Sequence, residues 1–159
     1  MNAFSIELKN KIDHWISKFP ENQKQSAVLP VLMLVQEQNG GWLSDELMKE
    51  VADYLSMPYI AVYEVAAFYS MYDLKPVGKY KIAVCTNVSC MLSGCDKIVN
   101  HLKNKLKINF NETTSDGKFT LKEVECLGAC ANAPVIYMDH QYHENLTPEK
   151  VDKILDKIT

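Results

Sequence analysis

Apolar positions recur at helical spacing through the first half of the chain. Ile6, Ile12, Trp15, Ile16 and Phe19 predict one buried stripe on a helix from about Ser5 to Lys18. Val28, Val31, Leu32 and Val35 predict a second, over roughly 22–38, with Pro30 expected to kink or break it. Asn39-Gly40-Gly41 is its stop signal, because glycine accepts the left-handed conformation of a C-terminal cap. Ser44 reads as the N-cap of a third helix, with Asp45 and Glu46 in its first turn and Leu47, Val51 and Leu55 along it. Met57-Pro58 ends that helix. Pro58 is expected to open a fourth, carrying Val62, Val65, Ala66 and Tyr69.

The period changes near Lys75-Pro76-Val77-Gly78. Tyr80, Ile82 and Val84 alternate as in a strand that ends at Cys85. A helix is predicted from Ser93 to Lys107, then a strand from Phe119 running into Cys126, and a third strand over 135–138. A turn at 139–141 and a short further strand precede a last helix, started by Thr147-Pro148 and buried through Val151, Ile154, Leu155 and Ile158. The pattern divides the chain into a helical part, 1–76, and a small β-α-β-β-α part, 77–159, which holds every cysteine. The fold class is α+β.

Composition narrows the function classes. With 47% hydrophobic and 23% charged residues the chain reads as soluble and globular. Its longest apolar run, Ala27 to Val35, is about half what a bilayer span needs and contains Pro30. The start, Met1 to Leu8, leads directly into a helix with no basic-then-apolar leader, so a reducing bacterial cytoplasm is expected. The net charge is −3 and every basic residue is Lys. Without Arg there is no bidentate reader of guanine or phosphate, which argues against a nucleic-acid partner. The helices from Leu43 to Tyr72 could pass for a helix-turn-helix, but their acids and lack of Arg count against that reading.

Five cysteines in a reducing compartment point to a metal or redox site plus one spare thiol. The pairs are Cys85-x4-Cys90 and Cys126-x3-Cys130, each leaving a predicted strand. A 2Fe–2S cluster needs four thiolates, two per iron, on two short facing loops, and these pairs supply that set. Gly128 and Ala129 are small enough for backbone to approach the cluster closely. Structural zinc on the same thiolates is an alternative, although zinc pairs favour C-x2-C spacing. Thioredoxin-type exchange lacks its C-x-x-C, and a Rieske centre lacks ligand histidines, since His14, His101, His140 and His143 lie outside both loops and read as exposed polar residues. Cys95 makes a second, overlapping C-x4-C with Cys90. Yet Met91, Cys95, Ile98, Leu102 and Leu106 share a helical face, so Cys95 is expected to be a packed thiol.

Gly40-Gly41-Trp42-Leu43-Ser44, Val62 to Tyr69, Pro76 to Tyr80, Cys85-x4-Cys90-Met91-Leu92 and Glu125 to Pro134 resemble, in order and spacing, one family. It is the thioredoxin-like 2Fe–2S subunit of bacterial respiratory NADH:quinone oxidoreductase, complex I. The resemblance implies a helical bundle followed by a thioredoxin-like ferredoxin domain, with Cys85, Cys90, Cys126 and Cys130 as ligands. Position 95 is usually small and not cysteine in that pattern. Ser89 stands where proline is frequent. The resemblance further implies an electron-carrying subunit that does not oxidise NADH alone. It would pair with the flavoprotein that binds FMN and NADH, in the hydrophilic arm on the cytoplasmic face of the bacterial membrane. Relatives serving NAD-linked hydrogenases or formate dehydrogenases, and a free-standing ferredoxin, are the alternatives. Pro134, before a strand near such a site, is a candidate cis proline.

Overall fold

The computed structural model describes residues 4–158. Met1, Asn2 and Ala3, part of the stretch expected to lack a leader, lie outside the described residues. Two compact units, Met1–Pro76 and Val77–Thr159, make up the chain.

In the first unit, helices α1 (Ile6–Ile16), α2 (Val28–Gln38), α3 (Asp45–Leu55) and α4 (Tyr59–Phe68) surround one core. Side-chain caps start two of them: the Ser5 hydroxyl accepts from Leu8 N–H at 3.1 Å, and the Ser44 hydroxyl from Leu47 N–H at 3.3 Å. Gly40 and Gly41 both take positive φ after α2, as the stop signal requires. Pro30 kinks nothing, because it lies in the first turn of α2, where no intrahelical N–H is needed. The break comes earlier, where a 3-10 segment, Glu21–Ala27, precedes α2. The α1 stripe also differs from expectation. Leu8 and Ile12 are buried, whereas Ile6 is 81% exposed and Trp15 lies at the surface. Pro58 caps α4 and does not open it. Buried Gln36 ties the unit together: its amide donates to Met71 O at 3.1 Å, and its carbonyl accepts from Asp73 N–H at 2.8 Å.

The second unit is a five-stranded sheet in the order β2-β3-β1-β4-β5, built from β1 (Tyr80–Cys85), β2 (Glu112–Thr113), β3 (Phe119–Val124), β4 (Ile136–Met138) and β5 (Gln141–His143). β1 and β3 run parallel, with Cys85 opposite Val124; β4 runs antiparallel to β1. A short helix, α5 (Val88–Leu92), precedes α6 (Cys95–Leu106), and α7 (Pro148–Asp156) closes the chain. Helices α6 and α7 contribute Ile98, Leu102, Val151 and Leu155 to the core formed with Ile82, Val84, Leu121 and Ile136. Burying each such side chain contributes about 1.5–3 kcal/mol. Three features depart from the pattern. The interposed α5 takes Met91 off the α6 face and leaves it half exposed. β2 is added at an edge. β3 ends at Val124, short of Cys126. With helices and a mixed sheet, the class is α+β. Among the described residues, no helix is long and apolar enough to cross a membrane.

Candidate metal centre

Parallel pairing makes the site. Because β1 and β3 run the same way, their C-terminal ends, Cys85 and Val124, emerge at one edge of the sheet. The two cysteine segments therefore start side by side: Thr86 N–H donates to Val124 O at 3.3 Å, and Cys85 N–H to Val135 O at 3.3 Å. Asn87 starts α5, its side-chain oxygen accepting from Val88 N–H at 2.7 Å, and this turn brings Cys90 back toward Cys85. Cys85 and Cys90 are buried. Cys126 and Cys130 are exposed, the latter opening the 3-10 turn Cys130–Asn132.

Sulfur and backbone amides converge on this edge. The Cys85 thiol donates to Glu125 O at 3.9 Å, and Gly128 N–H donates to Cys126 Sγ at 3.3 Å. Burial raises the Cys85 thiol, but hydrogen bonds from Asn87 N–H, Cys90, Leu127 N–H and Cys126 outweigh it and leave Cys85 below the ordinary thiol value. Burial, then the hydrogen bond with Cys85, pushes Cys90 up to about 11 against the Val135 N–H. Cys85 is therefore the first of the pair to become thiolate, steadied by its neighbour's proton. Cys95 is raised as well, by burial and then by Asp96 and Cys85.

The structure thus brings Cys85 into hydrogen-bonding reach of both Cys90 and Cys126. Cys130 opens an exposed 3-10 turn, and among the described residues no group of three metal-ligating side chains is placed to hold a metal ion. The donor set still fits an iron–sulfur group. Two short thiol loops flank one sheet edge, and backbone N–H groups of Asn87, Leu127, Gly128 and Val135 already point at sulfur. The second loop is anchored from outside: Asn145 N–H donates to Asn132 O at 2.7 Å, and Leu146 N–H to Pro134 O at 3.1 Å. The Ala133–Pro134 bond is cis.

Several expectations change here. Gly128 takes a φ of +72°, a backbone conformation that favours glycine whatever the space around it. Cys95 is packed, as expected, but among Cys85, Cys90 and Val135. His14 and His140 are exposed, whereas His101 and His143 are half buried, and His101 pairs with Asp152 at 2.8 Å. The amides of Leu127 and Val135 carry no signal in a sequence; Asn87, a helix-capping type just after a strand, could have been picked out.

The family model for thioredoxin-like [2Fe-2S] ferredoxins matches residues 12–159. A subunit of the NADH-quinone oxidoreductase of Rickettsia conorii is 52% identical over 156 residues, 98% of this chain and 93% of that protein. The mitochondrial NADH dehydrogenase [ubiquinone] flavoprotein 2 of Dictyostelium discoideum is 42% identical over 155 residues, covering 98% of this chain and 63% of that protein. A chain from the crystal structure of an NAD+-reducing [NiFe]-hydrogenase in the air-oxidized state has a TM-score of 0.69 at 22% identity. That match covers 80% of this chain and 22% of the other, and it is a likeness of fold.

Proposed function

Because the chain belongs to the thioredoxin-like [2Fe-2S] ferredoxin family, we propose that it is the electron-transfer subunit of the NADH dehydrogenase module of respiratory complex I. In this reading Cys85, Cys90, Cys126 and Cys130 hold one 2Fe–2S cluster, and residues 77–159 are the cluster domain beside a helical domain, 1–76. A cluster bound there takes up and returns one electron at a time, which suits exchange with FMN on a partner flavoprotein. The chain's own part is to hold and insulate. Cys85 and Cys90 bind from the buried side, Cys126 and Cys130 from the exposed side, and the surrounding amides stabilise added charge on sulfur. NADH binds on the partner, and the subunit is not catalytic alone. On the same reading the complex sits at the cytoplasmic face of the bacterial inner membrane.

The observation that carries the reading is the parallel register of β1 and β3, which sets Cys85 opposite Val124 and its thiol 3.9 Å from Glu125 O, the residue before Cys126, so that both cysteine segments leave one end of the sheet together. The test is anaerobic reconstitution of the full chain, dithionite reduction and low-temperature EPR on wild type and single Cys→Ala variants. A rhombic spin-half signal lost in the Cys85, Cys90, Cys126 and Cys130 variants supports it. A colourless protein with stoichiometric zinc refutes it. The same fold occurs in a chain of an NAD+-reducing hydrogenase, so the second reading is the equivalent subunit of such a complex. Copurifying subunits separate the two: quinone-pathway membrane proteins favour the first, and a nickel–iron subunit the second.

A further inference from the structure

The second cysteine segment has little regular structure of its own. Between the end of β3 at Val124 and the start of β4 at Ile136, its one helical piece is the 3-10 turn Cys130–Asn132. Cys130 opens that turn and Asn132 closes it, with Asn132 N–H donating to Ala129 O at 3.0 Å. The stretch between β5 and α7 holds the turn from the other side. Asn145 N–H donates to Asn132 O at 2.7 Å, and the Asn132 side-chain amide donates to the Glu144 carboxylate at 2.9 Å. Asn145 takes a φ of +49°, and the Lys150 ammonium, from α7, donates to its carbonyl at 2.7 Å. Asn132 is therefore bonded through its N–H, its carbonyl and its side chain.

A ligand on a loose turn must be ordered each time its metal group binds, whereas a ligand oriented beforehand keeps that group longer. We propose that Asn132 is a positioning residue of the centre: its side-chain bond to Glu144 fixes the turn that carries Cys130 and so slows loss of the cluster from the exposed side. This rests on the electron-carrier reading above, in which Cys130 is a ligand. Cys85 and Cys90 are held by burial, but Cys126 and Cys130 are exposed, where water and competing ligands reach first. The acceptor carries charge, so the bond is stronger than one between neutral groups, and a second carboxylate in the donor's place would turn attraction into repulsion.

The experiment follows loss of the cluster to excess EDTA by visible absorption. It uses the anaerobically reconstituted full chain as wild type, Asn132→Asp, Glu144→Gln and the double variant with both substitutions. Far-UV circular dichroism of each serves as the folding control. Asn132→Asp is expected to lose the cluster about tenfold faster, the lower end of what a residue orienting a metal ligand contributes. Glu144→Gln keeps an acceptor oxygen, and the double variant exchanges donor and acceptor at the wild-type charge, so both should stay within about threefold of wild type. That restoration separates a positioning bond from a general effect of added charge. Asn132→Asp at the wild-type rate overturns the inference, because the backbone bonds then suffice. Glu144→Gln or the double variant losing the cluster as fast as Asn132→Asp overturns it too. If Asn132→Asp does not fold, Glu144→Ala against Glu144→Gln decides: faster loss in the alanine variant supports the inference, and equal rates overturn it. A wild-type chain with no 2Fe–2S EPR signal after dithionite reduction overturns the electron-carrier reading and this inference together. A normal wild-type signal with no acceleration in the variants overturns this inference only.

Discussion

Substituting Gly78 with Ala tests how tightly the lead-in to β1 is held against β3. A Cβ at Gly78 would stand 2.9 Å from the Phe119 carbonyl carbon and 3.0 Å from both the carbon and the oxygen of the Lys118 carbonyl. All three atoms are backbone, so no side chain can swing aside. Relief requires the 78–80 segment to lift off β3. That movement would strain three hydrogen bonds: Gly78 N–H to Thr120 Oγ1 at 2.6 Å, Lys79 N–H to Gly117 O at 3.0 Å, and Tyr80 N–H to Lys118 O at 2.8 Å. Overpacking in a rigid site costs about 1–3 kcal/mol, and partial weakening of the three hydrogen bonds adds about 1 kcal/mol in all, so about 2–4 kcal/mol is expected. For a domain of this size that lowers Tm by roughly 10–25 °C. Urea denaturation followed by circular dichroism measures the loss, and hydrogen exchange of peptides from β1 and β3 shows whether it is local. Gly117 provides the contrast. Its φ is +70° with no atom within 4 Å of a built Cβ, so it is glycine for conformation, and Asn, which tolerates that φ, should nearly preserve stability there. Asn at position 78 should cost as much as Ala. Gly78→Ala within about 0.5 kcal/mol of wild type, or equal losses for Asn at the two positions, would refute the close-approach reasoning.

Two further outcomes concern the helical unit. Tyr72 is buried, donates to Leu29 O at 2.8 Å, and is pushed up from 10.0 to about 12, by burial and then by Tyr69. Below pH 10 the folded and unfolded chains both keep that proton. As pH rises from 10 toward 12 the unfolded chain releases it first, so about 2–3 kcal/mol of stability is lost across that window. Tyr72→Phe should shallow the decline in a pH series of urea midpoints, with Tyr54, also pushed up to about 12 by burial and Asp13, carrying the remaining slope; parallel declines in the two proteins would count against this account. Gln36→Ala removes the hydrogen bonds it accepts from Asp73 N–H and donates to Met71 O, at roughly 0.5–1.5 kcal/mol each, and should speed exchange of the Asp73 amide; an equally protected amide in that variant would count against this role for Gln36.

Local chemistry made much of this protein legible before any coordinates. Ser44 and Thr147 cap helices where a hydroxyl followed by an acid and an apolar run says they should. The Tyr80-Ile82-Val84 alternation is a strand because period two puts one face toward a core. Asn39-Gly40-Gly41 ends a helix because a positive φ is cheap there. Short elements were illegible for an equally physical reason. α5 and β2 are too brief to be stable alone or to carry a period, and they form because neighbours hold them. The buried side of α1 was misjudged because Ile6, Leu8, Ile12 and Trp15 offer more than one stripe, and the packing of the helical unit selects Leu8 and Ile12.

The candidate centre divides along the same line. Number, type and spacing of the cysteines are local facts, and by themselves they determined that two thiol pairs leave two strands. Which pair members meet, and what surrounds them, was decided by contacts between residues far apart in the chain. The parallel register that sets Cys85 opposite Val124 carries both loops to one sheet edge. The amides of Leu127 and Val135 reach sulfur because the second loop folds back and is anchored at Asn145 and Leu146. Cys95 joins Cys85 and Cys90 because α6 docks on the sheet through Ile98 and Leu102. Backbone donors look alike at every position in a sequence, and only a folded chain gives them a direction.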